Sequence, residues 1–182
     1  MKNGYTLHDP ETAPEASRAL LKEAEAALGK VPNLERVMAE APPLLQAYVK
    51  TWAMFDETSL SPIERQVVYQ VANVRNGCTY CQPWHTHLSA LAGMERAEAE
   101  KLRDGDPLSD PKLEALRVFA TLVLETKGYV EPAAFEAFLS AGFTRAQALE
   151  VVLGLSIKVM SNYTNALAGT PLDDEVKAWV RS

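Results

Sequence analysis

The sequence predicts an all-helical domain, on three observations. Apolar residues recur at intervals of three and four through most of the chain. Helix-start signals, a Ser, Thr or Asp followed by Pro or by Glu or Gln three residues on, stand ahead of these runs. No alternation of apolar and polar residues persists beyond four or five positions, so strands are not expected. With 182 residues, of which 47% are hydrophobic and 23% charged, the chain is sized for one core and composed like an ordinary soluble domain.

Residues 1–182 are expected to form a single domain, with 1–11 a flexible N-terminal arm. Thr12 to Glu15 has the form of a capping box, and Ala19, Leu20, Ala24, Ala27 and Leu28 extend its apolar face until Gly29. VPN at 31–33 turns the chain into a short helix, Leu34 to Glu40, which Pro42 and Pro43 separate from one running through Leu44, Leu45, Tyr48, Val49, Trp52 and Phe55. Ser61-Pro62-Ile63-Glu64 is the clearest start: a cap, a proline at the first helical position and a reciprocal Glu at the third, followed by Val67, Val71 and Val74. That helix ends at Asn76-Gly77. The next, Tyr80 to Ala92, must hold Pro83 in its first turn, where a missing N–H costs nothing. Glu95 to Arg103 reads as a charged surface helix. Asp110-Pro111 starts a helix with Leu113, Leu116, Phe119 and Val123 on its apolar face, and Pro132 to Ala141 forms a short one. Thr144 with Gln147 opens the longest, apolar round most of its circumference from Ala148 to Met160 and closed by Gly169; such a helix belongs at the centre of a core or against a second subunit.

Acidic residues outnumber basic ones by 24 to 18, and no run of Lys and Arg is suited to a row of phosphates or an anionic bilayer, which excludes nucleic acid as a partner. No window approaches the roughly eighteen uncharged apolar residues of a membrane span, and the expected location is the cytoplasm.

Chemistry concentrates in NGCTYCQPWHTH, Asn76 to His87, which holds both cysteines and two of the three histidines. Cys78, Cys81 and His85 are spaced by three and then four residues, so they share one side of a helix that begins at or just before Cys81. A thiol at a helix N-terminus faces unpaired N–H groups and the positive end of the dipole, which favours its thiolate. An imidazole within reach takes or returns the proton, and a second thiol one turn away converts a sulfenic acid into a disulfide. These groups suffice for a reducible peroxidase cycle; the plainer alternative is a pair of semi-buried thiols that only pack. A zinc site built from Cys78, Cys81, His85 and His87 is disfavoured, because His85 and His87 point about 200 degrees apart on a helix and the second ligand pair across a loop is missing. An iron-sulfur cluster needs more thiolates than the chain has, so neither metal nor cofactor is expected. Around the motif, Tyr80 and Trp84 either roof a small pocket or pack, and His87 is most simply a surface or hydrogen-bonded histidine. Asn162 and Asn165, one turn apart in an apolar helix, need hydrogen-bond partners. His8 lies in the arm, outside this grouping.

Three blocks, VPNLERVMAEAPPLLQAYV, LSPIERQVVYQVANVRNGCTYCQPWHT and AGFTRAQALEVVLGLSIKVMSNYTNALAGTPLD, together resemble the AhpD-like, carboxymuconolactone decarboxylase superfamily, in particular its small peroxidase-related members. The resemblance implies an AhpD-like helical fold in homo-oligomers, trimers or hexamers being common. In the AhpD branch it implies an alkyl hydroperoxide reductase that acts on an organic hydroperoxide or hydrogen peroxide and is recycled by a thioredoxin-like or lipoyl protein. By this resemblance Cys81 matches the attacking thiol, Cys78 the resolving thiol and His85 the histidine of the proton relay. The branch places a glutamate twelve residues before the first cysteine, where this chain has Gln66. An amide hydrogen-bonds but does not take up the proton, and Glu64, two positions away, is already explained as a helix cap, so weaker activity or another base is expected. The rival readings are a lyase or isomerase of the decarboxylase branch, with His85 as acid or base, and a non-enzymatic redox-sensing oligomer. On the glutamate account, Gln66→Glu raises the thiolate fraction or the peroxidase rate, as followed by thiol alkylation and peroxide consumption; no increase in either would count against it.

Overall fold

Helices begin where capping side chains satisfy their free N–H groups. The Glu64 N–H donates to Ser61 Oγ at 3.3 Å while the Ser61 N–H donates to Glu64 Oε2 at 2.7 Å. Thr144 and Gln147 form the second reciprocal pair at 3.1 and 2.9 Å. Asp110 Oδ1 accepts from the N–H groups of Lys112 and Leu113. In the computed structural model, which describes residues 1–181, the elements are α1 (Glu15–Leu28), α2 (Asn33–Met38), α3 (Pro42–Asp56), α4 (Pro62–Arg75), α5 (Cys81–Leu91), α6 (Arg96–Asp104), α7 (Pro111–Glu125), α8 (Pro132–Ser140), α9 (Arg145–Ala168) and a 3-10 helix, Asp174–Trp179. Among the described residues there is no strand, and no helix is long and apolar enough to cross a membrane.

Two local expectations give way. The capping box at Thr12 does not form, because the Thr12 N–H and hydroxyl both donate to the Asp9 carboxylate, a charged acceptor three residues upstream, at 2.7 and 2.8 Å; α1 starts after Pro14 without a side-chain cap. Pro42 and Pro43 do not stand outside α3 but fill its first turn, where the N–H groups they lack would have been unpaired in any case. Residues of the N-terminal arm hydrogen-bond to two helices: the Lys2 N–H donates to the Ala168 carbonyl at 2.7 Å, and the His8 N–H to the Arg36 carbonyl at 3.2 Å. The 3-10 helix was not anticipated. Six residues are too few to show a period, and it is held from outside, by the Arg96 guanidinium 4.5 Å over the Trp179 ring and a 3.1 Å bond from Arg103 to the Trp179 carbonyl.

The centre of the molecule is α4, buried from Val67 to Asn73, with α5, α7 and α9 packed around it. The long helix α9 divides its apolar surface. Val151, Leu155 and Ile157 are in the core, while Leu149, Val152, Val159, Tyr163 and Leu167 are exposed along the other side. Close approach on the inner side depends on Gly154. A Cβ there would lie 2.6 Å from Phe55 Cζ on α3 and 2.8 Å from Val68 Cγ1 on α4. Gly154→Ala is therefore expected to destabilise the protein by roughly 1–3 kcal/mol despite the higher helix propensity of alanine. A denaturation midpoint equal to or above that of the wild type would refute this contact.

Candidate active site

The site is built where α4, α5 and α9 meet. Gly77, at φ +62°, ends α4 in the left-handed conformation that a side chain disfavours, and this lets the Cys78 N–H return to the Asn73 carbonyl at 2.9 Å. Cys78 is thereby set beside the first turn of α5. Its Sγ accepts a hydrogen bond from the Cys81 N–H at 3.3 Å. Both cysteines are reduced and buried.

A chain of carboxamides fixes this corner. Gln70 on α4 donates to the Gln82 carbonyl and Thr86 Oγ1, both at 3.0 Å, tying α4 to α5. Asn73 donates to Gln70 Oε1 and accepts from Asn162 on α9, each at 2.9 Å. Asn162 Oδ1 accepts from Asn76 at 2.9 Å, which turns its amide nitrogen toward Cys81 Sγ, 3.1 Å away. Asn165, one turn on, brings a second N–H to Cys81 Sγ at 3.2 Å and a longer one, at 3.8 Å, to Cys78 Sγ. The partners of these two asparagines thus include both cysteine sulfurs.

Lys158 was missed in the sequence. It is 1% exposed, and its Nζ lies 2.8 Å from His85 Nε2. The other imidazole nitrogen, Nδ1, is 2.8 Å from Gln66 Oε1. An amide oxygen only accepts, so Nδ1 carries the hydrogen and Nε2 is left as an acceptor for the ammonium. Burial first, and then the charge of Lys158, hold His85 well below the usual imidazole range, so it is neutral. Gln66 and Lys158 occupy both nitrogens of His85, and among the described residues no hydrogen bond joins its ring to Cys81 Sγ. A signal for Lys158 existed, since it is the sole charge between Val151 and Met160 and sits one turn beyond Gly154.

The electrostatic result is an asymmetric dithiol. Burial opposes ionisation of Cys81, but the Cys78 hydrogen bond, the Lys158 charge and the Asn162 and Asn165 amides outweigh it and bring the thiol down to about 6. Cys78 moves the other way: its hydrogen bond to Cys81, its burial and the Cys81 charge push it far above the thiol range. The surroundings favour the thiolate at Cys81 and the protonated thiol at Cys78.

The other candidates lie around this centre in different ways. Glu64 is held by Ser61 and by Lys112 Nζ at 2.8 Å, and it is a cap. The Tyr80 hydroxyl donates to Asp173 and accepts from the Leu34 N–H at 3.2 Å, and Trp84 Nε1 donates to the same carboxylate at 3.0 Å. These aromatics anchor α2 and the C-terminal segment over α5. The His87 ring packs against Trp179, 5.3 Å away, with Nδ1 buried and, among the described residues, unpartnered. Among the described residues no group of three or more side chains converges in a way that would hold a metal ion.

A cavity of about 790 Å³ opens between α1, α3 and α5, with Cys81, His85 and Lys158 in its wall. Leu20, Ala24, Val49, Trp52 and Leu88 make most of it apolar, and Glu35 and Tyr48 add polar groups.

Residues 42–105 match the sequence model of the Carboxymuconolactone decarboxylase family, and that segment contains α3 to α6 and both cysteines. No curated protein matches the chain. Among solved structures, the fold is similar to the alkylhydroperoxidase AhpD core of a peroxidase-related protein from Ralstonia eutropha JMP134, with TM-score 0.85 and 22% identity over 94% of this chain and 93% of that one. It is similar to a peroxidase-related protein from Silicibacter sp. TM1040, with TM-score 0.80 and 21% identity over 95% and 92% of the two chains. It is also similar to the debrominase Bmp8, in a cysteine-to-alanine variant in complex with 2,3,4-tribromopyrrole, with TM-score 0.80 and 16% identity over 98% and 96%. The fold is AhpD-like and all-helical.

The thiolate signal of the reduced protein is expected to disappear as pH falls through about 6. Lys158→Met, similar in length and apolar, should shift that transition upward and slow Cys81 alkylation near neutral pH roughly tenfold. The gain from Gln66→Glu should be small beside this loss. An unchanged titration in Lys158→Met would remove the lysine from the account.

Proposed function

We propose that the protein is a thiol-dependent hydroperoxide reductase in which Cys81 attacks the peroxide and Cys78 resolves the product. The observation that carries the reading is the environment of Cys81 Sγ: two amide N–H donors at 3.1 and 3.2 Å, the charge of Lys158, a second thiol one turn away, and a cavity wall open to an organic molecule. The Cys81 thiolate takes the terminal oxygen of the peroxide, so that an S–O bond forms as the O–O bond breaks and the electron pair leaves with the alkoxide. Asn165 Oδ1, buried and without a partner among the described residues, provides an acceptor for the S–OH proton on the amide that donates to Cys81 Sγ. Cys78 then displaces water from the sulfenic acid, and an external dithiol, a thioredoxin-like or lipoyl protein, reduces the disulfide. A free dithiol suits a reducing compartment such as the cytoplasm. The exposed stripe Leu149, Val152, Val159, Tyr163 and Leu167, at helical spacing, supports a homo-oligomer.

The pocket chemistry weighs against the decarboxylase branch. Lys30 is already paired with Asp173 at 3.4 Å and with Glu175, and the Glu23 and Asp56 carboxyls share the cavity, so a cyclic polycarboxylate meets repulsion. A second reading draws on the likeness to a debrominase. The same thiolate, facing the Trp52 and Trp84 rings that line the cavity, suits transfer of bromine from a heteroaromatic ring to sulfur, with Cys78 then releasing bromide and a proton replacing the halogen.

In single turnover, reduced protein mixed with one equivalent of cumene hydroperoxide should consume it and lose the mass of two hydrogens as Cys78 and Cys81 join. Cys81→Ser should abolish consumption, and Cys78→Ser should stop at a trappable sulfenic acid. Peroxide left intact by the wild type overturns the reading; bromide release from a bromopyrrole in its place favours the second.

A further inference from the structure

Reducing an organic hydroperoxide leaves an alkoxide, a strong base that needs a proton as the O–O bond breaks. The groups already placed at the site are poorly suited to supply it. His85 is neutral, with its one N–H directed to Gln66. The Lys158 ammonium is engaged by the lone pair of His85 Nε2 at 2.8 Å. Tyr80 directs its hydroxyl to Asp173, and burial pushes Tyr48 well above the phenol range.

Glu35 remains. It lines the same cavity as Cys81 from α2, and α2 is pinned at the site because the Leu34 N–H donates to the hydroxyl of Tyr80, the residue before Cys81. Among the described residues no hydrogen bond or cation acts on its carboxyl. Burial and then the charge of Asp173 push it up to about 7. The charged and titratable groups around it account for that isolation. Asp173 is taken by Tyr80, Trp84 and Lys30; Lys30 is shared with Glu175; and Tyr48 and Cys81 face the same space from α3 and α5. A carboxylic acid that is retained near neutral pH in an apolar wall is equipped to donate.

We infer that Glu35 is a further catalytic residue, the acid that protonates the departing alkoxide of an uncharged organic hydroperoxide bound in the apolar cavity. The inference rests on the hydroperoxide-reductase reading. As the Cys81 sulfur bonds the terminal oxygen and the O–O pair leaves on the alkoxy oxygen, Glu35 gives that oxygen its proton; the alcohol departs, and solvent reprotonates the carboxylate. The apolar residues that make up most of the wall favour such an uncharged peroxide over an anionic one.

The test uses leaving groups of different basicity in single turnover with reduced full-length protein. Cumene hydroperoxide leaves as a basic alkoxide, whereas peroxybenzoic acid leaves as a carboxylate that needs no proton. Glu35→Gln, nearly isosteric, should slow oxidation of Cys81 by cumene hydroperoxide at least about tenfold at pH near 6 and leave the peroxybenzoic acid rate within about twofold. The wild-type rate with cumene hydroperoxide should rise as Cys81 ionises and fall again above about 7, and Glu35→Gln should lose only the alkaline fall. Equal slowing with both oxidants would assign Glu35 a merely structural role, and no slowing with either would remove it from the reaction; each overturns the inference while leaving the reductase reading intact. A wild type inert to both oxidants would sink that reading and the inference together.

Discussion

Lys158 carries an ammonium into the core at 1% exposure, and most of the site's geometry is the means of accommodating it. An uncompensated buried charge costs several kcal/mol, so the lysine needs partners that approach it without water. His85 Nε2 offers a lone pair at 2.8 Å, and the rings of Trp52 and Tyr69 present their faces at 5.9 and 5.4 Å. The remaining compensation is the negative charge on Cys81. Stabilisation is reciprocal: the thiolate raises the lysine against its desolvation, and the lysine lowers the thiol against its own. Gln66 in place of a carboxylate is consistent with this arrangement. A carboxylate on His85 Nδ1 would favour a second cation beside Lys158, whereas the amide keeps the ring neutral and its Nε2 lone pair free.

One helix supplies the parts in sequence. Gly154 lets α9 close on Phe55 and Val68, and the same face then presents Lys158 one turn later, Asn162 two turns later and Asn165 after that. The position of the cation and both amide donors thus depends on a single steric contact in the core, far enough along the helix that no donor needs a loop to aim it. On the other side of the thiols, Asp173 gathers Tyr80, Trp84, Lys30 and the Asn33 N–H into one cluster. This cluster joins α2, α5 and the C-terminal segment, and through them it brings Glu35 to the cavity that Cys81 lines.

Local signals in the chain determined the helical class, the caps at Ser61, Asp110 and Thr144, and the placement of Cys78 and Cys81 at a helix start, because each depends on residues within one or two turns of one another. They failed at Thr12, where an acidic residue upstream competed for the same N–H, and at the 3-10 helix, which is held by side chains of α5 and α6. Tertiary structure alone decided which groups complete the dithiol. Lys158 lies 73 residues from His85, and Asn165 lies 84 from Cys81. Glu35 reaches the cavity on α2, which the Tyr80 hydroxyl and Asp173 tie to α5 and the C-terminal segment. Spacing along a helix reports neighbours on that helix, whereas the charge of a thiol is set by whatever the packed core brings within a few ångströms of it.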